Sequence, residues 1–174
     1  MTEGSCVMYK RILVPLDGSR VAEGVLPHVQ EMAQAMGSEV VLLRVLQPRQ
    51  IEGAPYPTPM ELRMKSAYKY LGRIRDVLAE RGIAVTTAVT SGIDLGDTIV
   101  DWVRENDADA IALMSHGFGR AAKAIFGSVA DRLLERSPVP VLVVRATPEV
   151  LEEQEEQEEE ELDEALLHSM AAYG

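Results

Sequence analysis

The chain is poor in several things that narrow what it can be. It has one cysteine, Cys6, in 174 residues, so no internal disulfide can form and a reducing compartment suits it. Aromatic residues make up only 5%. No apolar run reaches the length of a membrane span, and "MTEGSCVMYK" at the N-terminus lacks the apolar core of a signal peptide. These absences lead us to expect a cytoplasmic protein with no membrane partner. Histidines are few, and His28 and His168 lack ligand-like spacing, so no metal site is expected. Positive charge is missing from one region altogether. From Glu149 onward there are eleven acids and no Lys or Arg. Subtracting them from the 28 acids of the chain leaves 17, against 17 bases. The net charge of -11 therefore belongs to the tail, and no basic stripe supports nucleic-acid binding.

Apolar residues, at 47% of the chain, suffice for one domain with a substantial core. Their pattern alternates between two kinds of segment. "RILVPL" (11–16), "EVVLLRVL" (39–46), "IAVTTAVT" (83–90), "ADAIALM" (108–114) and "SPVPVLVVR" (137–145) are short apolar runs that read as strands. Helical spacing fills the intervals 19–36, 60–80, the segment after Asp94, and the segment from Ser128 to Arg136. Pro27 interrupts the first of these and predicts a kink or a later start. Strands that lack clean alternation and are each followed by a helix predict a doubly wound α/β fold with a five-stranded parallel sheet. Such sheets bind ligands beyond the carboxyl ends of their strands, where strand order reverses. If strands 1 and 4 are neighbours, "PLDGS" and the stretch after strand 4 share one crevice.

That stretch, "MSHGFGRAAKAIFGS" (114–128), holds three glycines, Arg120 and Lys123, and no acid occurs from Ala110 to Ala130. Glycines let backbone N–H groups approach an anion, and a following helix start adds unpaired donors. The competing reading is a capping box in "SVAD", with Ser128 capping the helix and Asp131 reciprocating. The P-loop pattern G-x-x-x-x-G-K-[ST] does not occur, and the loop after strand 1 lacks G-x-G-x-x-G.

From Tyr9 to Arg145 the chain resembles the universal stress protein family, a fold it shares through "ILVPLDGS", "LLRVL" and "GSVADRLLERSPVPVLVVR". Nucleotide-binding members of that family carry G-x2-G-x9-G-[ST] after strand 4, and Gly117-x9-Gly127-Ser128 matches that spacing. The resemblance implies binding of ATP, AMP or cAMP. The nucleoside would meet Asp17 and the backbone of Val45, and the phosphates would meet His116, Gly117, Gly127, Ser128 and Val129. The chain departs from the pattern at Met114, where the family has its first glycine and where a side chain could crowd the ribose or phosphate. The alternative is a dimeric interaction module of the same family that works through protein partners without ATP. Catalysis is not expected beyond slow ATP hydrolysis, because no base–nucleophile pair and no Mg²⁺ cluster can be named; Mg²⁺ remains an open companion of the nucleotide. The resemblance and the apolar run 140–145 both imply a homodimer through strand 5. The expected organisation is a nucleotide-binding unit, 1–148, followed by an acidic tail, 149–174. Leu162, Leu166 and Met170 recur in that tail at helical spacing and suit a protein partner or the body itself.

Overall fold

The computed structural model describes residues 9–48, 59–115 and 127–147. Ten elements follow one another as β1 (Arg11–Pro15), α1 (Arg20–Glu23), α2 (Leu26–Met36), β2 (Glu39–Leu46), α3 (Met60–Glu80), β3 (Val85–Ser91), α4 (Leu95–Glu105), β4 (Ala110–Ser115), α5 (Ser128–Arg136) and β5 (Val141–Arg145). All strands pair in parallel in the order β3-β2-β1-β4-β5. The doubly wound α/β sheet expected from the sequence is therefore present. The acidic tail lies outside the described residues.

The central strands are apolar on both faces because both faces are covered. One core joins Ile12, Val14, Val40 and Leu42 to Val25 and Val29 of the α1–α2 segment and to Leu71 and Leu78 of α3. The other joins Leu13, Val41, Leu43 and Ile111 to Ile99, Val100 and Val103 of α4 and to Leu133 of α5. Burying a side chain of this size contributes about 1.5–3 kcal/mol. Continuous apolar runs rather than alternation are what a sheet covered on both sides requires.

Several boundaries differ from the expectations: β4 begins at Ala110 rather than at residue 108, and β5 at Val141 rather than at residue 137. Three further differences have a local physical cause. The single helix over 19–36 is two: α1 ends at Gly24, and α2 begins afresh with Pro27 in its first turn. A proline is tolerated there, because a first-turn N–H has no helical acceptor to lose. The capping box at "SVAD" does not form. Gly127, at φ +86°, is the N-cap of α5, Ser128 is its first helical residue, and among the described residues no side chain caps the helix. The third strand starts at Val85 rather than at residue 83, since Ile83 is drawn into the core beneath α3.

The ladders differ in length, and this opens the sheet at one place. β1 pairs with β2 over five residues, Arg11 to Pro15, and β4 pairs with β5 over five, Ile111 to Ser115. Between β1 and β4 the register is only Ile12 to Ala110 and Leu13 to Ile111. Backbone direction explains the early end. The Arg11 carbonyl accepts from Asp109 on the β4 side, whereas Leu16 N–H donates to Leu43 on the β2 side. Alternation then turns residues 11, 13 and 15 toward β4. Pro15 is the next residue that would donate across that seam, and it has no N–H. Beyond Leu13 the two strands follow their outer neighbours, and a cleft opens between them.

Candidate nucleotide cleft

The cleft has a volume of about 620 Å³ and lies at the carboxyl ends of β1, β2 and β4. That volume falls within the roughly 300–1,000 Å³ of small-molecule sites. Asp17, Val45, Met114, Gly127, Ser128 and Val129 all line it. The structure thus brings together six of the eight residues singled out in the sequence; His116 and Gly117 lie outside the described residues.

Each wall offers a different chemistry. On β2, Glu39 donates to Lys10 and Leu43 accepts from Leu16, both on the β1 side. The same alternation points the N–H and C=O of Val45 toward β1, which has turned away after Leu16. One donor and one acceptor in fixed geometry thus face the cleft. On the opposite wall, Ile111 donates to Pro140, and Ser115 accepts from Ala146, on the β5 side. The backbone of Met114 therefore faces the gap. At the far end, α5 starts after Gly127 with no side-chain cap among the described residues, which leaves its first N–H groups able to meet an anion.

Asp17 organises the loop after β1. Its Oδ1 accepts from the backbone N–H of Ser19 at 2.9 Å and from the Ser19 hydroxyl at 2.6 Å. The Ser19 hydroxyl in turn accepts from Ala22 N–H at 3.1 Å and caps α1. Asp17 is thus a turn residue as well as a lining residue, and the turn fixes its carboxylate at the cleft.

Sequence reasoning did not single out Arg44, Gln47 and Arg63, which also line the cleft. The Arg44 guanidinium donates to the Leu16 carbonyl at 3.1 Å and lies under the turn at Gly18. Burial lowers its pKa and the Asp17 charge opposes that shift, so the side chain stays cationic. Tyr70 of α3 donates to Glu23 of α1 at 2.9 Å. Burial first, and then the Glu23 carboxylate, hold its phenol well above the usual range, so it stays protonated. Arg63 donates to the Gln47 carbonyl at 2.7 Å, and the Gln47 amide donates to Ile93 at 3.0 Å. A charged residue inside "VVLLRVL" was a readable signal for Arg44. Arg63 reaches the cleft from a helix that follows a proline-rich segment, and no local pattern marks it.

Met114 has a specific neighbour. A Cβ added at Gly24 would stand 2.6 Å from the Met114 sulfur and 2.8 Å from its methyl carbon. The thioether therefore lies over the bare backbone at the α1–α2 junction and packs against the core beneath α2 and α3. It is directed to the face opposite α5, whose residues belong to the other core.

A parallel five-stranded sheet in the order β3-β2-β1-β4-β5, opened between strands 1 and 4, defines a doubly wound α/β protein with its cleft at the point where strand order reverses. The universal stress protein family model matches residues 8–145, and the chain belongs to that family. It is 31% identical over 143 residues to universal stress protein Sll1654 of Synechocystis sp., covering 82% of this chain and 90% of that relative. It is 30% identical over 157 residues to universal stress protein MJ0577 of Methanocaldococcus jannaschii, covering 80% and 96%. The solved structure of MJ0577 superposes with a TM-score of 0.67 and covers 80% of this chain and 98% of that one. A universal stress protein from Archaeoglobus fulgidus, solved in complex with dAMP, is similar at 25% identity and a TM-score of 0.57, covering 78% and 98%.

The contact between Met114 and Gly24 gives a measurable coupling. Gly24→Ala pushes aside the flexible end of the Met114 side chain and should cost about 1 kcal/mol. Met114→Ala removes the clashing atoms, so the double variant should be more stable than the two single losses sum to, by about 0.5 kcal/mol or more. Denaturant unfolding of the four proteins checks this. Additive losses would show that the thioether does not lie on Gly24.

Proposed function

We propose that this protein is a stress-response regulator that binds an adenine nucleotide in the cleft between β1 and β4. The observation that carries the reading is the uncapped start of α5 beside Gly127, reached by a cleft whose other wall presents the Val45 backbone. In this arrangement the Val45 N–H and C=O pair with the base edge, and Asp17 accepts from the ribose hydroxyls. The phosphates lie on the N–H groups that begin α5, with the Ser128 hydroxyl and the glycine stretch from His116 and Gly117 onward beside them. ATP, AMP and cAMP share this set of contacts. The complex of the Archaeoglobus fulgidus relative with dAMP supports an adenylate. The role is binding and signalling; at most slow hydrolysis accompanies it.

A second reading, an interaction module without nucleotide, rests on Met114 at the cleft. The packing of its thioether over Gly24, on the face away from α5, favours the nucleotide reading instead.

Ser128→Asp separates the ligand from the helix. A carboxylate in the first turn suits the helix dipole and stabilises α5 by about 0.3–1 kcal/mol. The same charge repels a phosphate at that position. Calorimetric titration with ATP, AMP and cAMP should show binding to the wild type and at least a tenfold loss in the variant, with an unchanged or raised thermal midpoint. Equal affinity in the two proteins would remove the phosphates from α5.

We further propose a homodimer through β5, residues 140–145. β5 is a sheet edge, and Leu142 is 38% exposed. Pro140 and Ala146 bond toward β4, so alternation turns the Val143 N–H outward. Val143→Pro removes that outward donor and leaves the β4 ladder its own bonds. Light scattering should give a dimer for the wild type at micromolar concentration and a monomer, or a weakened dimer, for the variant. A monomeric wild type would refute the interface.

A further inference from the structure

The outer surface of α3 is unusual for a helix that covers a sheet. Met60, Met64 and Tyr68 are 39%, 38% and 44% exposed. They recur every four residues, so they form one apolar stripe along the first half of the helix. Lys65, Lys69 and Arg73 follow at the same spacing, and all three are exposed. No carboxylate pairs with them among the described residues. Glu61 heads the same row four residues before Lys65 without an ion pair to it, so the row still carries a net positive charge, and an apolar stripe bordered by such a row fits a partner that is itself apolar and acidic.

The chain carries such a partner. Leu162, Leu166 and Met170 recur every four residues, and the segment from Glu149 holds eleven acids and no base. Glu159 and Asp163 are spaced as Lys65 and Lys69 are, and Asp163 follows Leu162 as Lys65 follows Met64. The span is sufficient. β5 and the β2–β3 end of the sheet that α3 covers are separated by at most four strand spacings, about 19 Å. The fifteen steps from Thr147 to Leu162 cover about 22 Å as a helix and about 50 Å when extended.

We propose that the acidic C-terminal segment docks on α3 of its own chain, with Leu162, Leu166 and Met170 against Met60, Met64 and Tyr68 and its carboxylates against Lys65, Lys69 and Arg73. The contact is reversible and independent of the two cores, since both are complete without it. The N-terminal half of α3 also supplies Arg63 to the cleft, so the docked segment lies beside the cleft mouth.

The test is zero-length carbodiimide cross-linking of the full chain at micromolar concentration. A mixture of ¹⁵N-labelled and unlabelled protein is used, and peptides are read by mass spectrometry. Lys65 and Lys69 should join acids of the segment 149–164, and both peptides of each joined pair should carry the same isotope. The combined substitution Leu162→Ser, Leu166→Ser and Met170→Ser should lower the yield about fivefold or more, because the apolar contact is lost while the charge stays. Absence of these links would overturn the proposal. So would a yield unchanged by the triple substitution, which would reduce the contact to diffuse charge attraction. A predominance of mixed-isotope pairs would give the surface to a second copy or another chain and would also overturn it.

Discussion

The short ladder between β1 and β4 is the constraint on which the site depends. Two central strands that lie side by side in the core pair at only two positions, and Pro15 lacks the N–H that the third would require. Because each strand keeps its outer partner, the seam opens only at its carboxyl end. The strand backbone groups that line the opened seam are then a consequence of backbone parity. Val45 and Met114 face the gap because alternation turns them toward a neighbour that is no longer there. The loop after β1, held by Asp17 and Ser19, forms the third wall, and the start of α5 forms the fourth.

Electrostatics follow the same economy. Arg44 can be half-buried because it donates to the Leu16 carbonyl and stands beside Asp17, so its charge is opposed within the site. The Tyr70 hydroxyl donates to Glu23 and so ties α3 to α1 beside Arg44. The α5 end has backbone dipoles rather than a buried charge pair. The two ends are therefore chemically distinct: one is suited to a neutral base edge and hydroxyls, the other to an anion.

The sequence made the sheet legible because strands covered on both faces leave an unambiguous mark: "RILVPL" and "EVVLLRVL" have no polar alternation to confuse them with exposed strands. The switch point was legible only as a condition, since strand order depends on which runs pair, and no local pattern states that. The competing reading, a capping box, fails for a physical reason. "SVAD" fits the sidechain pattern of a cap, but Gly127 at positive φ begins the helix one residue earlier and leaves Ser128 inside it. Arg63 and the Met114–Gly24 contact were hidden because both join residues far apart in the chain. The departure at Met114 looked like a defect when the motif was read alone; it gains a partner only when Gly24 is seen beneath it.

The central claim is that the opened seam holds an adenine nucleotide, and it is tested most directly on the protein as purified. Mass spectrometry of the small molecules released on denaturation, quantified against protein concentration, should find an adenine nucleotide at a substantial fraction of one per chain. If no nucleotide is released, and none is retained after incubation with ATP, AMP or cAMP and rapid desalting, the cleft is not a nucleotide site and the account is contradicted.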